Sequence, residues 1–288
     1  MRMAYYPGCS LTSTGVEFDL STRAVAEKLG IELWEIPDWN CCGASYAHST
    51  SQLLSLALPA RNLALAEKEG LDVAVSCAAC YNRMKTVSEV VNRSPMIKDQ
   101  VSRIIELEYN AASKVVSIIE VINEYYGLER LAEQVTWPLR ELKVASYYGC
   151  LLVRPPELGM DDVENPSLLD RIVRSLGGVP IEWNYKVECC GAFHSTFRPK
   201  QGLKIIGDIL DDACRSGAEC IVVACPLCML NLDMRQESAK KEKALGKTIP
   251  IFYFTELIGL ALGIPLKKLG TNKHFVDVLP LLKRKNLQ

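Results

Sequence analysis

The feature that most constrains this chain is a pair of adjacent cysteines followed by glycine, which occurs twice. It stands at Cys41-Cys42-Gly43 and again at Cys189-Cys190-Gly191. A hydrophobic core does not require adjacent thiols, and ten of the twelve cysteines fall into two similar sets of five. Each set has one cysteine before the pair and a C-x-x-C after it. The two sets are Cys9, Cys41, Cys42, Cys77 and Cys80, and Cys150, Cys189, Cys190, Cys225 and Cys228.

The two sets keep the same register along the chain, which indicates an internal duplication. The cysteine pair and both cysteines of the C-x-x-C recur after the same 148 residues. The single cysteine before each pair recurs after 141 residues, so the second copy has seven more residues at that place. The segment 151–166, rich in Pro, Gly and Asp, is the natural place for this insertion. The helical pattern breaks around Thr136-Trp137-Pro138, and we predict two domains, residues 1–138 and 139–288.

Each half alternates short apolar strands with helical patterns. This alternation is typical of α/β domains with mainly parallel sheets. We predict two tandem domains related by a pseudo-two-fold axis and facing each other, each with one five-cysteine site where strands end and helices begin. Strands are predicted at 3–6, 31–36, 73–75, 143–148, 179–183 and 221–224, and helices at 16–29, 53–69, 78–92, 97–109, 117–126, 167–176, 199–215 and 255–262.

Composition excludes several classes of partner. The net charge of −1 gives no electrostatic reason to expect nucleic acid. The longest apolar run, 249–266, is interrupted by Pro250, Glu256 and Pro265, so we expect no membrane span. The N-terminal residues lack the apolar core of a signal peptide. Many cysteines without a secretory signal favour metal or redox chemistry over disulfides, and we expect a cytoplasmic protein.

The number of thiols in each set indicates the kind of metal site. A closed zinc site needs four cysteines, and an ordinary [4Fe–4S] cubane also needs four. Five per set exceed both numbers, and adjacent cysteines reach an extended cluster more readily than a single ion. The spacing therefore favours iron–sulfur chemistry over structural zinc. A thiol–disulfide oxidoreductase is a weaker alternative, because it leaves three cysteines of each set without a role.

Each C-x(31–38)-C-C-G-x(34)-C-x-x-C module resembles the cysteine-rich CCG domain of heterodisulfide reductase B subunits, and the resemblance covers nearly the whole chain. It implies that each set of five cysteines ligates one non-cubane [4Fe–4S] cluster. It also implies reduction of the mixed disulfide of coenzyme M and coenzyme B between the two clusters, each giving one electron. The implied partners are a ferredoxin-like C subunit and a flavin-bearing A subunit. The alternatives are another disulfide or sulfane-sulfur substrate, another respiratory complex, or a zinc-bound structural subunit.

Other side chains near the motifs are candidates for binding or proton transfer. His48 and His194 follow the two cysteine pairs, and either ring is a candidate proton donor to a departing thiolate. An anionic disulfide also requires cations, for which the candidates are Arg83, Lys85, Arg198, Lys200 and Lys204. The two cysteines outside the repeat, Cys214 and Cys220, are expected to be core thiols. His274 is expected at the surface.

Overall fold

The computed structural model describes residues 1–192, 194–243 and 246–287. The first half contains four strands, eight helices and one π-helical segment. They are β1 (Arg2–Tyr6), α1 (Gly8–Leu11), α2 (Val16–Leu29), β2 (Glu32–Glu35), α3 (Ala47–Thr50), α4 (Gln52–Lys68), β3 (Val73–Val75), α5 (Ala78–Arg93), α6 (Pro95–Ile105), β4 (Val115–Ser117), α7 (Ile118–Glu120), the π-helical Val121–Gly127 and α8 (Leu128–Glu133).

The second half repeats this order and begins with β5. Its described elements are β5 (Lys143–Tyr147), α9 (Leu168–Ser175), β6 (Val179–Pro180), α10 (His194–Phe197), α11 (Pro199–Arg215), β7 (Cys220–Val223), α12 (Pro226–Met229), the π-helical Leu230–Met234, α13 (Gln236–Lys243), β8 (Ile251–Tyr253), α14 (Phe254–Ala261), α15 (Leu266–Leu269), the 3-10 turn Thr271–Lys273 and α16 (Leu279–Arg284).

The two sheets have the same topology. The strand orders are β2-β1-β3-β4 and β6-β5-β7-β8, and every recorded pairing is parallel. The central strands β1, β3, β5 and β7 are short and apolar because helices cover both faces of a parallel sheet. The predicted α/β class with parallel sheets is confirmed. The carboxyl ends of these strands lie at one edge of each sheet, and the cysteine loops follow them.

The two halves pack against each other through equivalent helices. Helix α2 of the first half packs on α14 of the second, and α9 of the second packs on α7 and α8 of the first. This reciprocal arrangement is the one expected of a pseudo-two-fold pair. In the α2–α14 contact, the buried hydroxyls of Ser21 and Thr255 lie 2.7 Å apart. The insertion in the second half also crosses to the first, where Asn82 donates to the Arg154 carbonyl at 3.0 Å.

Two expectations about local structure are wrong. The predicted helix 97–109 is shorter than expected, because α6 ends at Ile105 and Glu106 adopts the left-handed conformation. The predicted helix 117–126 is present as α7 and the π-helical segment, and Ser117, which also ends β4, forms a capping box with Glu120. His274 is not at the surface: its side chain is fully buried, and Nε2 lies 2.8 Å from Glu256 Oε1. The chain folds back after Gly270, since the amides of residues 275 and 276 donate to the buried Asp233 carboxylate. The domain boundary at 138 stays a prediction.

Among the described helices, none is both long and apolar enough to cross a lipid bilayer.

Candidate metal centres

The first set of cysteines lies on the loops that follow three parallel strands. Cys9 lies in α1 just after β1, and the Cys41–Cys42 pair lies in the loop after β2. Cys77 is the N-cap residue of α5, directly after β3, and Cys80 lies in the first turn of that helix. Because the strands are parallel and adjacent, their carboxyl ends bring all five thiols to one edge of the sheet.

Within this set, the sulfurs are in contact in pairs. The Sγ atoms of Cys42 and Cys80 are 3.2 Å apart, and those of Cys41 and Cys9 are 3.8 Å apart. The Gly43 amide points at Cys41 Sγ from 3.5 Å. The set grouped from its spacing is therefore brought to one place, where four of its five sulfurs lie in two contacting pairs.

The second set repeats this arrangement at the edge of the second sheet. Cys150 follows β5, the Cys189–Cys190 pair follows β6, and Cys225 and Cys228 begin α12 after β7. Cys150 and Cys190 lie close enough to Cys189 to shift its pKa, and Cys228 lies close enough to shift the pKa of Cys190. The Gly191 amide lies 3.4 Å from Cys189 Sγ, which corresponds to the contact of the Gly43 amide with Cys41 Sγ in the first set.

The two sets meet where the halves meet. Cys77 and Cys225, the first cysteine of each C-x-x-C, lie close enough for each thiol to shift the pKa of the other. Tyr253 lies beside this contact, and its buried hydroxyl has no hydrogen-bond partner among the described residues. Its ring stacks on Phe18 of the other half, with centroids 4.2 Å apart and planes inclined by 9°. The ten cysteines thus form two adjacent sites in one protein.

Burial divides the sulfurs into two groups. The inner sulfurs, all buried, belong to Cys42, Cys77, Cys80, Cys190, Cys225 and Cys228. The outer sulfurs belong to Cys9, Cys41 and Cys189, which are exposed, and to Cys150, which is half-buried. Each site is therefore closed on the side that faces the other site and open towards solvent.

Contacts between the thiols give them different pKa values. Hydrogen bonds from Cys41 and Cys80 lower the pKa of Cys42 to about 3, and hydrogen bonds from Cys150 and Cys190 lower that of Cys189 to about 2. The neighbouring thiols of Cys42 and Cys77, together with burial, raise the pKa of Cys80. The neighbouring thiols stabilise one thiolate in the first set, Cys42, and two in the second, Cys189 and Cys225. Ionisation of the remaining thiols is opposed by repulsion between like charges. Metal cations bound by the thiolates would remove this repulsion.

The donor chemistry fits an iron–sulfur cluster. Every donor in the two sets is a thiol, and all ten cysteines are free. Soft thiolate ligands are those that bind zinc and iron–sulfur clusters. In the part of the chain that the structure describes, no three cysteine, histidine or carboxylate side chains surround one point as the ligands of a single metal ion would. The sulfurs lie instead in contacting pairs.

The glycine after each cysteine pair is required by the backbone conformation. Gly43 and Gly191 both have φ of +74°, in the left-handed region that glycine tolerates best. At Gly43 an added Cβ would lie 2.7 Å from Ala47 Cβ and 2.8 Å from Leu58 Cδ1, whereas at Gly191 the nearest atom is 3.4 Å away. The turn at Gly43 therefore requires a residue without a side chain for steric reasons as well.

Replacing Gly43 by alanine should destabilise the protein by about 2–3 kcal/mol, because left-handed strain adds to overpacking. The iron content of the first set should fall with it, since the turn positions Cys42. Urea unfolding under anaerobic conditions measures the first effect, and iron analysis the second. The control is Gly30→Ala, where φ is +68° but nothing lies within 4 Å of the added Cβ. Equal losses in the two variants would contradict the steric part of this explanation.

The predicted histidines lie on the open side of the two sites. His48 is in α3 and His194 in α10, both exposed, and neither ring is hydrogen-bonded to a cysteine among the described residues. Phe193, which precedes His194, lies outside the described residues. The proton-donor role of these histidines stays a prediction.

The structure separates the five predicted cations. Arg83 is half-buried near Cys42, and its positive charge contributes to the stability of the Cys42 thiolate. Lys85 lies on the same helix but stacks on Tyr81, with Nζ 5.1 Å from the ring centroid. The other three cations are exposed around the start of α11, and Lys200 and Lys204 line a shallow surface cavity of about 330 Å³. These last three are Arg198, Lys200 and Lys204.

Sequence reasoning missed two residues at the sites and overstated the burial of one cysteine elsewhere. Asn231 is buried and donates to the Cys190 carbonyl at 3.2 Å and to Cys190 Sγ at 3.5 Å. It lies 148 residues after Arg83, so the repeat itself was the signal that identified it. Tyr253 was missed because its contact crosses between the halves. Cys220 is fully buried as predicted, whereas Cys214 is only half-buried.

The fold and the two sites define a duplicated, cysteine-rich α/β protein. The chain belongs to the CCG cysteine-rich domain family, which matches residues 3–85 and 144–233. The two matched segments contain all ten cysteines of the two sets.

Several characterised proteins are similar over nearly the full length. The 8-methylmenaquinol:fumarate reductase membrane anchor subunit of Wolinella succinogenes is 37% identical, over 97% of this chain and 99% of its own. The B subunit of the ferredoxin:CoB-CoM heterodisulfide reductase of Methanosarcina mazei is 29% identical, over 98% and 96%. These relatives are subunits of multisubunit reductases.

A solved structure shares the fold. A hypothetical protein from Helicobacter pylori superposes with a TM-score of 0.78 at 17% identity. The superposition covers 95% of this chain, which spans about half of that chain (51%).

Proposed function

We propose that this protein is the iron–sulfur catalytic subunit of a heterodisulfide reductase. In this proposal it reduces the mixed disulfide of coenzyme M and coenzyme B to two thiols, with two electrons and two protons. The observation that carries the proposal is the contact between two complete five-thiol sites at Cys77 and Cys225. Relatives named as B subunits of CoB-CoM heterodisulfide reductases support the choice of substrate.

Each set of five thiols would hold one non-cubane [4Fe–4S] cluster. When bound, such clusters supply single electrons, so that a pair delivers the two that a disulfide requires. The inner sulfurs exclude water from the region between the sites. The outer sulfurs leave each site open on the side where a substrate arrives. Electrons would come from the partners implied by the resemblance, a ferredoxin-like C subunit and a flavin-bearing A subunit.

The exposed residues beside the second site would bind and protonate the substrate. The coenzyme disulfide carries sulfonate, carboxylate and phosphate groups, and the exposed cations Arg198, Lys200 and Lys204 would pair with them. His194 lies on the helix before these cations and would donate a proton to a departing thiolate.

A second function is favoured by one comparison. The relative at 37% identity is named as a subunit of an 8-methylmenaquinol:fumarate reductase. The same two clusters would then pass electrons between a quinol and a fumarate-reducing subunit, and no disulfide would be split. Both functions use the ten cysteines in the same way and differ in the molecule that exchanges electrons with the open side.

Anaerobic purification followed by metal and sulfide analysis tests the cluster content. About eight irons per chain are expected for two clusters. Stoichiometric zinc with little iron would reject the proposal and favour a structural zinc subunit.

Activity assays on the complex then separate the two functions. We expect reduction of the coenzyme disulfide with reduced viologen as donor. If the complex instead couples oxidation of 8-methylmenaquinol to fumarate reduction and leaves the disulfide intact, the second function is correct.

A further inference from the structure

The two cluster sites carry different charges at two equivalent positions. The repeat offset of 148 residues relates Arg83 to Asn231 and Asn40 to Glu188. Hydrogen bonds confirm the second equivalence: Tyr6 donates to the Asn40 carbonyl at 2.9 Å, and Tyr147 donates to the Glu188 carbonyl at 2.6 Å. The first site has a cation where the second has an amide, and an amide where the second has a carboxylate.

Arg83 follows Cys80 by three residues, and Asn231 follows Cys228 by three residues. Each therefore lies on the same face of its helical segment as the last cysteine of its set. Residues three apart on a helix are neighbours, which directs both side chains towards the sulfurs. Arg83 is half-buried in α5 beside Cys80, whose sulfur lies 3.2 Å from that of Cys42, the second cysteine of the first pair. Asn231 reaches the corresponding cysteine of the second pair, with Nδ2 3.5 Å from Cys190 Sγ.

The two environments are not equalised by neighbouring ions. Among the described residues, Arg83 has no carboxylate within 4 Å, so its charge is not neutralised by an ion pair. In the second half, Arg235 lies one side chain further away, where its Nε donates to Asn231 Oδ1 at 3.2 Å. Arg154, which donates to the Val187 carbonyl at 3.5 Å, is paired with Glu164 at 3.0 Å. The buried Lys186 of the second half is paired with Asp170 at 2.9 Å.

Reduction adds an electron to a cluster, so nearby charge shifts its potential. A cation stabilises the reduced form and a carboxylate destabilises it. The hydrogen bond from Asn231 also favours reduction, but a neutral donor contributes about half as much as a charged one. Both differences therefore make the first cluster easier to reduce than the second. The effect of Glu188 is smaller than that of Arg83, because Glu188 is exposed and its charge is screened by solvent.

We propose that Arg83, supported by the Asn40/Glu188 difference, makes the cluster of the first half the easier of the two to reduce. In this role Arg83 is a positioning residue, which acts on the cluster through its charge. The inference rests on the proposed presence of two clusters but not on the identity of the substrate. An electron that enters the pair would reside mainly on the first cluster until a second arrives.

Redox titration of the iron-loaded protein, followed by electron paramagnetic resonance, tests the inference. We expect two one-electron steps in the unmodified protein, separated by a factor of ten or more in equilibrium constant, which equals about 59 mV. Arg83→Gln should shift only the higher step downward by a similar factor. Glu188→Gln should raise only the lower step, by less. Arg83→Lys, which keeps the charge, should restore most of the separation.

The matched control is Lys85→Gln, which removes a half-buried cation from the same helix but one that stacks on Tyr81. Neither step should move in that variant. About eight irons with both potentials unchanged in Arg83→Gln would overturn the inference and leave the proposed function standing. If Arg83→Gln loses its first cluster, Arg83→Lys becomes the deciding variant. A decrease of its higher potential, although the charge is kept, would also overturn the inference. Little iron in the unmodified protein would instead reject the proposed function.

Discussion

Replacing Cys225 by serine is expected to remove the cluster of the second half and to abolish turnover. Iron should fall from about eight to about four per chain, since a serine oxygen is a poor substitute for a soft thiolate ligand. Cys225 is buried and lies close to Cys228 and to Cys77 of the other site, so its loss also disturbs the contact between the sites. Activity should decrease at least about 100-fold, beyond the loss typical of residues that only support a ligand.

The control for this variant is Cys214→Ser. Cys214 is half-buried on α11 and lies outside both sets, so the iron content and the turnover should stay near those of the unmodified protein. Iron analysis and the viologen-linked assay are made on the same anaerobic samples. A Cys225→Ser protein with one cluster and full turnover would show that the two sites do not act together.

Truncating Phe18 to alanine is expected to cost about 3–5 kcal/mol of the free energy of unfolding, as is typical of buried phenylalanines. Phe18 is fully buried in α2 and stacks on Tyr253 of the other half. It also meets Phe254 edge-on, with ring centroids 6.0 Å apart. The cavity would open between the halves, beside the place where Cys77 meets Cys225.

Urea unfolding of the iron-loaded protein, followed by tryptophan fluorescence, measures this loss. Phe275→Ala is the matched control, because it makes the same chemical change at a side chain that is 68% exposed. That variant should stay within about 0.5 kcal/mol of the unmodified protein. Similar midpoints for the two variants would mean that the interface between the halves contributes little to stability.

The register of the cysteines was sufficient to predict the duplicated α/β fold. The strands that precede the cysteines are short and apolar, and they end at a glycine, at a turn or at the cysteine that caps the next helix, so their positions follow from the local pattern. The observed strands β1, β3, β5 and β7 begin and end within one residue of the predicted ranges. Since parallel strands share one edge, the grouping of five thiols also followed from sequence.

Features that depend on contacts between distant segments did not follow. Ser117 belongs to both a strand and a helix cap, and a window along the sequence detects only the cap. His274 is buried because a remote carboxylate, Asp233, binds the backbone that follows it. No periodic pattern in the C-terminal segment records that contact. The stacking of Phe18 on Tyr253 is hidden for the same reason.

The division into inner and outer sulfurs has a consequence for how the protein matures. In the folded chain, solvent reaches only the outer thiols, so iron and sulfide delivered from outside meet Cys9, Cys41 and Cys189 first. The inner thiols become accessible only if the halves separate or the loops open. Oxidative damage starts at the same exposed rim, because reactivity of a cysteine requires access. If each set holds a cluster, insertion and loss would both start at the outer sulfurs, and the buried junction of the halves would be the last part to fill and the last to be attacked.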